Sequence, residues 1–209
     1  MDKALLIIMV KWHAYVRCKT RLAKDIGKLN SLAIQIKMTQ HTLSVAKSLE
    51  EKGLIDISLA ISGVGAKNGK RWANKLGVKN FHLQGKGCLG EKMKKQIIIN
   101  QRLYFHKNII IVGTDLPNLC HLDLLNTILK LKNNDVVLGP SNDGGYWLIG
   151  FSKKLLATNL FLPFIDIEWS KNNVLKKTIS NLFSKSLRYH LLQKKIDIDT
   201  IEDIEKIEK

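Results

Sequence analysis

The chain has 209 residues, 45% of them hydrophobic, with three prolines and a formal charge of +16 from 34 Lys+Arg against 18 Asp+Glu. This is enough apolar sequence to fill the core of one ordinary domain, which excludes disordered and collagen-like chains. The longest early apolar run, Ala4 to Val10, is bounded by Lys3 and Lys11. It is far short of the roughly 20 residues a membrane helix needs, and it lacks the basic region and cleavage site of a signal peptide.

Ala4 to Val10 predicts a buried strand, followed by a polar loop through Lys19. Leu22, Ile26, Leu29, Leu32, Ala33, Ile36, Leu43 and Val45 then recur at helical spacing, with a break near Gly27 and an end at Gly53. Asp56 to Ser62 predicts a second strand leaving through Gly63 to Gly65. Asn68 to Leu76 is a short helix closed by Gly77, and Phe81 to Gln84 a short strand. Gly85 to Gly90 forms a glycine-rich turn from which a helix runs over Glu91 to Phe105. Asn108 to Val112 is a β-branched run of the kind buried on both faces of a parallel sheet. A helix near Leu122 to Leu131, a strand at Asp135 to Leu138 and a hairpin-like return at Tyr146 to Phe151 follow. A helix near Lys171 to Ser184, a strand near Leu187 to Gln193 and a terminal helix from Ile201 complete the chain. Such alternation predicts an α/β fold, a mostly parallel sheet covered on both sides, with Tyr146 to Phe151 running against the rest. No repeat or linker divides the chain, so residues 1–209 form a single domain.

The charge is regional. Residues 1–100 carry 19 basic and 6 acidic residues, whereas the remainder carries 15 and 12. Of the 34 basic residues 29 are Lys and 5 Arg, alongside 24 Ile and 15 Asn, all three abundant types having A+T-rich codons. Coding bias therefore accounts for much of the lysine, and a small polyanionic ligand is the next explanation. Specific nucleic-acid binding is not expected, because no basic stripe interleaved with aromatics is present. The three cysteines, Cys18, Cys88 and Cys120, are scattered and unpaired in sequence, as in a reduced cytoplasmic protein. The six histidines lack metal-ligand spacing, and no Walker-type loop or hydrolase motif occurs.

Four segments carry candidate chemistry. In the loop after the first strand, Arg17, Lys19 and Arg21 precede a helix start, a geometry suited to anions as well as to a solvated basic loop. Asp115 follows the central strand in Gly113-Thr114-Asp115-Leu116-Pro117, placed to hold a divalent cation or to cap the next helix. Asp143-Gly144-Gly145-Tyr146 is either a hairpin turn or a ligand-facing acid with glycines that admit a close approach. Asp197-Ile198-Asp199-Thr200 precedes the acids Glu202 and Asp203 of a helix start, and one of its aspartates could instead join Asp115 at a metal.

In order, these segments resemble a bacterial family of small transferases of the DUF2064 type, in the nucleotide-diphospho-sugar transferase superfamily and related to nucleotidyltransferases of the molybdopterin-guanylyltransferase kind. The resemblance rests on K-T-R-L at Lys19 to Leu22, Q-x-G-x-x-L-G-E at Gln84 to Glu91 and G-T-D at Gly113 to Asp115. It continues with L-G-P-x-x-D-G-G-Y at Leu138 to Tyr146, Trp169-Ser170, and D-x-D-T with E-D at Asp197 to Asp203. It implies a GT-A, Rossmann-like three-layer sandwich. Phosphates would lie at Arg17, Lys19, Arg21, Gly113 and Thr114, and the base near Gln84, Leu89 and Gly90. Mg²⁺ or Mn²⁺ would sit on Asp115 with a second acid, Asp199 being preferred to Asp197. The family's first loop usually reads K-x-P-x-P-G-x-V-K-T-R-L, where this chain has His13, Tyr15, Val16 and Cys18 at the two Pro, the Gly and the Val.

Two activities follow from the resemblance. A nucleotide sugar would pass its sugar to an acceptor hydroxyl, with Asp143 as base; alternatively an NTP would be joined to a phosphorylated small molecule with release of pyrophosphate. A non-catalytic nucleotide-binding protein is a third reading. The partners implied are a nucleotide sugar or NTP and a small acceptor. Sequence leaves the oligomeric state open, a homodimer included.

Overall fold

A computed structural model describes residues 3–13, 19–104, 107–157 and 163–207. Arg17 and the substitutions at Tyr15, Val16 and Cys18 lie outside the described residues.

Seven strands form one sheet in the order β3-β2-β1-β4-β6-β5-β7. They are β1 (Ala4–Lys11), β2 (Ile55–Ser62), β3 (Asn80–Leu83), β4 (Ile109–Val112), β5 (Val136–Pro140), β6 (Tyr146–Phe151) and β7 (Tyr189–Leu191). β6 is antiparallel to both β4 and β5, and the other pairings are parallel, as the sequence led us to expect. β1 reads as an unbroken apolar run because both its faces are covered. Leu6, Ile8 and Val10 join a core with α2 (Lys28–Glu51), α3 (Ala66–Lys75) and α5 (His121–Lys130). Leu5 and Ile7 join the opposite core with α4 (Leu89–Leu103), α6 (Lys153–Ala157) and α7 (Val174–Phe183). Each such fully buried Leu or Ile contributes about 1.5–3 kcal/mol. The result is the expected GT-A-type three-layer sandwich.

Three local features differ from the sequence expectation. Gly27, at φ +80°, separates α1 (Leu22–Ile26) from α2 as foreseen, but the buried face of the first turns of α2 is polar. Ser31, Gln35, Thr39 and Thr42 are buried, while Leu29 is 78% exposed. Apolar periodicity fails there because Ser31 and Gln35 meet polar partners at the site, the Lys19 carbonyl and the Thr114 hydroxyl, while Thr39 bonds back to the Gln35 carbonyl. α4 starts at Leu89, so Leu89 and Gly90 belong to its first turn and not to the preceding loop; the Glu91 carboxylate accepts from Cys88 N at 2.8 Å and fixes that start. α6 has no counterpart in the sequence reading, because five residues are too few to show periodicity.

At the amino-terminal edge of the sheet Asp56 receives Lys3 at 2.5 Å and also Lys107. Burial works to raise its pKa, but the hydrogen bonds and charges of Lys107 and Lys3 prevail and hold it below the ordinary value. A depressed folded pKa means stability that is present above the unfolded value and lost as pH falls through the folded one. Asp56→Asn is therefore expected to cost about 1 kcal/mol at pH 7. The difference should shrink as pH falls below the ordinary Asp value and through the lowered folded one, which urea unfolding across an acid pH series checks. A cost that does not change with pH would assign it to packing.

Candidate active site

Strand order reverses between β1 and β4: the chain goes from β1 to β2 on one side and later returns to β4 on the other. Open α/β sheets form their ligand crevice at the carboxyl ends of strands on either side of such a point. A cavity of about 460 Å³ lies there, and its lining includes Lys11, Lys19, Thr114, Asp115, Asp143, Asp197 and Asp199. Because β6 is antiparallel, its first residue, Tyr146, reaches the same edge.

Lys19 is the hub of the polar side. Its backbone is left-handed, at φ +46°, and its side chain is only 3% exposed. Nζ sits 2.7 Å from Asp115 Oδ1 and donates to the Ile198 carbonyl. The Ile198 amide in turn donates to the Asp115 carbonyl at 2.9 Å. One ammonium thus ties the first loop, the exit of β4 and the segment before α8 (Ile201–Ile207) together. The Ser31 hydroxyl donates to the Lys19 carbonyl at 3.2 Å and helps hold that unfavourable backbone. Gln35 Nε2 donates to Thr114 Oγ1 at 3.1 Å, so the polar face of α2 orients the residue beside Asp115. Asp115 caps no helix: α5 begins at His121, where Cys120 is the cap and Asp123 the reciprocal partner.

Asp143 and Gly145 form the turn predicted between β5 and β6. Asp143 Oδ1 accepts from Gly145 N at 2.9 Å and from the Ser141 hydroxyl, whereas Oδ2 takes no hydrogen bond among the described residues. Gly144 is needed for space: at φ +87°, a Cβ there would lie 1.9 Å from the Asn172 carbonyl oxygen. Leu175 N donates to the Gly144 carbonyl at 2.9 Å, so the turn is latched under the start of α7.

The late acids separate into two roles. Asp199 pairs with Arg21 at 3.0 Å, both groups being largely exposed. Asp197 is the more enclosed; burial first, then the negative charge of Asp143 and further that of Asp115 and Asp203, push its carboxyl up to about 6. Asp203 accepts from the amides of Asp199 and Thr200 and from the Thr200 hydroxyl, the helix-start arrangement expected there. Lys195, buried between Asp123 at 2.5 Å and the Asn118 carbonyl at 2.9 Å, anchors the segment that leads to Asp197. Among the described residues no three His, Cys, Asp or Glu side chains converge as a metal cage.

Of the sequence candidates, Lys19, Gln84, Leu89, Gly113, Thr114, Asp115, Asp143 and Asp199 border the cavity, while Arg21 and Gly90 do not. Gln84 is held by two bonds from Nε2, to the Ala60 carbonyl at 2.8 Å and the Val10 carbonyl at 3.3 Å. Gly90 lies beneath Trp169, whose ring occupies the space where a Cβ would point, 2.5 Å away. Gln35, Lys195 and Trp169 were not singled out as functional from the sequence. A glutamine and two threonines on one face of a long helix were the available signal for Gln35. Beyond the end of β1, His13 stacks on Trp12 at 5.3 Å and meets Trp72 edge-on at 5.1 Å. Burial and nearby Lys75 lower its pKa, keeping the ring neutral at pH 7.

Fold and cleft together define a GT-A-type α/β protein with an acid-rich, lysine-centred crevice at its strand carboxyl ends. The chain belongs to the family DUF2064, described as an uncharacterized protein conserved in bacteria, whose model matches residues 45–171. The first loop and the Asp197–Asp203 segment lie outside that match. No curated protein matches the sequence. Among solved structures, a protein from Desulfovibrio desulfuricans G20, provisionally named a nucleotide-diphospho-sugar transferase, is similar with a TM-score of 0.84 and 23% identity over 99% of this chain and 87% of that one. The 4-diphosphocytidyl-2C-methyl-D-erythritol synthase of Anaerococcus prevotii DSM 20548 is similar with a TM-score of 0.58 and 14% identity, covering 99% of both chains. Rv0371c of Mycobacterium tuberculosis H37Rv, in complex with manganese, gives 0.57 and 15% over 99% of this chain and 98% of that one. No helix among the described residues is long and apolar enough to cross a membrane.

Proposed function

We propose that this protein is a metal-dependent glycosyltransferase that moves a sugar from a nucleotide-diphospho-sugar to an acceptor hydroxyl. The observation that carries the proposal is the meeting of Lys19, Asp115, Asp143 and Asp197 in one crevice at the strand ends. The likeness to the Desulfovibrio protein supports it as a likeness of fold. Lys19, with the Thr114 hydroxyl, holds the diphosphate, and Arg21 adds its charge from the rim beside Asp199; Gln84 and Leu89, at the start of α4, border the base. Arg17 belongs to the same phosphate set by its place in the first loop.

The donor set fits a hard divalent cation. Its ligands would be carboxylate oxygens: Asp197 is pushed up first by burial and then by the negative charges of Asp143 and Asp115, so a cation among them would relieve that crowding. A site with two carboxylates suits Mg²⁺ or Mn²⁺, which keep several waters. Asp115 is one ligand. Asp197 is better placed than Asp199 as the second, since it is enclosed beside Asp143 and Asp115, whereas Asp199 points to the exposed rim with Arg21. When bound, the cation neutralises charge developing on the leaving diphosphate. Asp143 Oδ2 takes the proton from the acceptor hydroxyl as its oxygen attacks the anomeric carbon, while Ser141 and Gly145 N keep the carboxylate aligned through Oδ1. The anomeric C–O bond to phosphate breaks, and the nucleoside diphosphate leaves.

A second reading, nucleotidyl transfer with pyrophosphate as leaving group, draws on the likeness to the diphosphocytidyl-methylerythritol synthase. The same phosphate and metal groups would serve it. Incubation with Mn²⁺ and panels of nucleotide sugars, or of NTPs with sugar phosphates, separates the two: nucleoside diphosphate release is expected. Pyrophosphate release would move the assignment to the second reading, and nucleotide binding without any release would leave a non-catalytic binder.

A further inference from the structure

The crevice has a second wall unlike the first. On the side of the sheet covered by α4 and α7 it is apolar and aromatic: Met93, Tyr146, Ile149, Trp169 and Val174 border it, with Lys171 at the same segment's edge. Trp169 is half-buried and meets Tyr146 edge-on at 6.5 Å and Phe164 at 5.9 Å. Its position is fixed from two sides. One side is the contact over Gly90, where no Cβ could fit, and the other is the hydrogen bond from Leu175 N to the Gly144 carbonyl, with the Asn172 carbonyl packed over Gly144. Trp169 is therefore a wall held close to the turn that carries Asp143. Burial raises the Tyr146 phenol far above its ordinary pKa, so this ring of the wall stays neutral at working pH.

An acyclic polyol or a phosphate-only ligand gains little from such a wall. A ring with one face of C–H groups does, since it removes apolar area from water against an aromatic face while its edge hydroxyls remain free. We infer that this wall binds the non-nucleotide substrate through the C–H face of a pyranose-type ring packed against Trp169, with a ring hydroxyl turned to Asp143. The inference rests on the transferase reading for what the ring becomes. The ring could arrive as a neutral sugar or as a sugar phosphate; Lys171 stands where a phosphate substituent would meet a cation.

Saturation-transfer NMR and calorimetry of the full chain, with diamagnetic Mg²⁺, against methyl glucoside, glucose 1-phosphate and the ring-less glycerol 1-phosphate test this. The two ring compounds are expected to receive saturation at their ring C–H protons and to bind more tightly than glycerol phosphate. Trp169→Leu keeps apolar bulk without the aromatic face, and should weaken the ring compounds about tenfold. Trp169→Phe should restore most of that loss, and nucleoside diphosphate binding should be unchanged in both variants. Preference for glucose 1-phosphate over methyl glucoside, lost in Lys171→Ala, identifies the phosphorylated source; equal binding identifies the neutral one. Glycerol phosphate binding as well as the ring compounds, or no ring binding at millimolar concentration, overturns the inference. So does a Trp169→Leu effect confined to nucleotide, which would make Trp169 a wall of the base site. Ring binding without any nucleotide binding would instead sink the transferase reading and leave the ring site standing.

Discussion

Replacing Asp115 with asparagine is expected to abolish metal-dependent nucleotide binding while leaving the protein folded. The amide keeps an oxygen for Lys19 Nζ, now 2.7 Å away, and the backbone bond from Ile198 N to the Asp115 carbonyl does not involve the side chain. What is lost is the anionic charge, and a hard cation held by two protein carboxylates would lose half its protein charge with it. Titration of Mn²⁺ by calorimetry, and of nucleoside diphosphate with and without EDTA, reads the effect. Metal affinity and metal dependence equal to those of the parent protein would remove Asp115 from the site. A thermal midpoint within a few degrees of the parent separates loss of binding from loss of fold.

The second large effect is expected at Lys19. A charge-assisted hydrogen bond to phosphate contributes about 1.5–3 kcal/mol, so Lys19→Met should raise the nucleotide dissociation constant by about 10- to 150-fold. Methionine retains the apolar stem in its buried channel but removes the bonds to Asp115 and the Ile198 carbonyl. A fall in stability should accompany the loss of affinity, because those bonds join three chain segments. Lys19→Arg should recover only part of the affinity: the charge returns, yet a wider guanidinium must enter a channel that leaves 3% of the lysine exposed. Unchanged nucleotide affinity in Lys19→Met would make the residue a structural tie alone. A dissociation constant restored fully by arginine would mean that charge, and not the geometry of the ammonium, is what binds.

Both predictions bear on how the protein handles its own electrostatics. Asp115 is half exposed and faces a buried ammonium, while Asp197 is enclosed with other carboxylates nearby. The crevice thus holds a cation of its own on one side and an excess of anionic oxygen on the other. A diphosphate and a divalent metal complement these two halves, which is why one bound partner should strengthen the other. The strong positive charge of residues 1–100 contributes to this only through Lys19 and its neighbours; most of the lysines lie on solvated helix faces.

Much of this was legible in the sequence. Ala4 to Val10 and Asn108 to Val112 fixed the central strands, because a strand buried on both faces must be apolar throughout. The turn glycines at 27, 77 and 144 mark positive φ values that favour glycine. Short motifs in order placed Lys19, Asp115, Asp143 and the late aspartates at strand or helix ends, and all of these reached one cavity. What the one-dimensional pattern could not decide was which side chains oppose each other. Asp197 and Asp199 are two residues apart and chemically identical. Only the fold puts one against Asp143 and Asp115 and the other against Arg21, since burial and charge act through space and not along the chain. The same holds for Gln35, which looks misplaced on a helix until Thr114 stands opposite it, and for Trp169, an isolated aromatic until Gly90 and the Gly144 turn hold its segment beside the crevice.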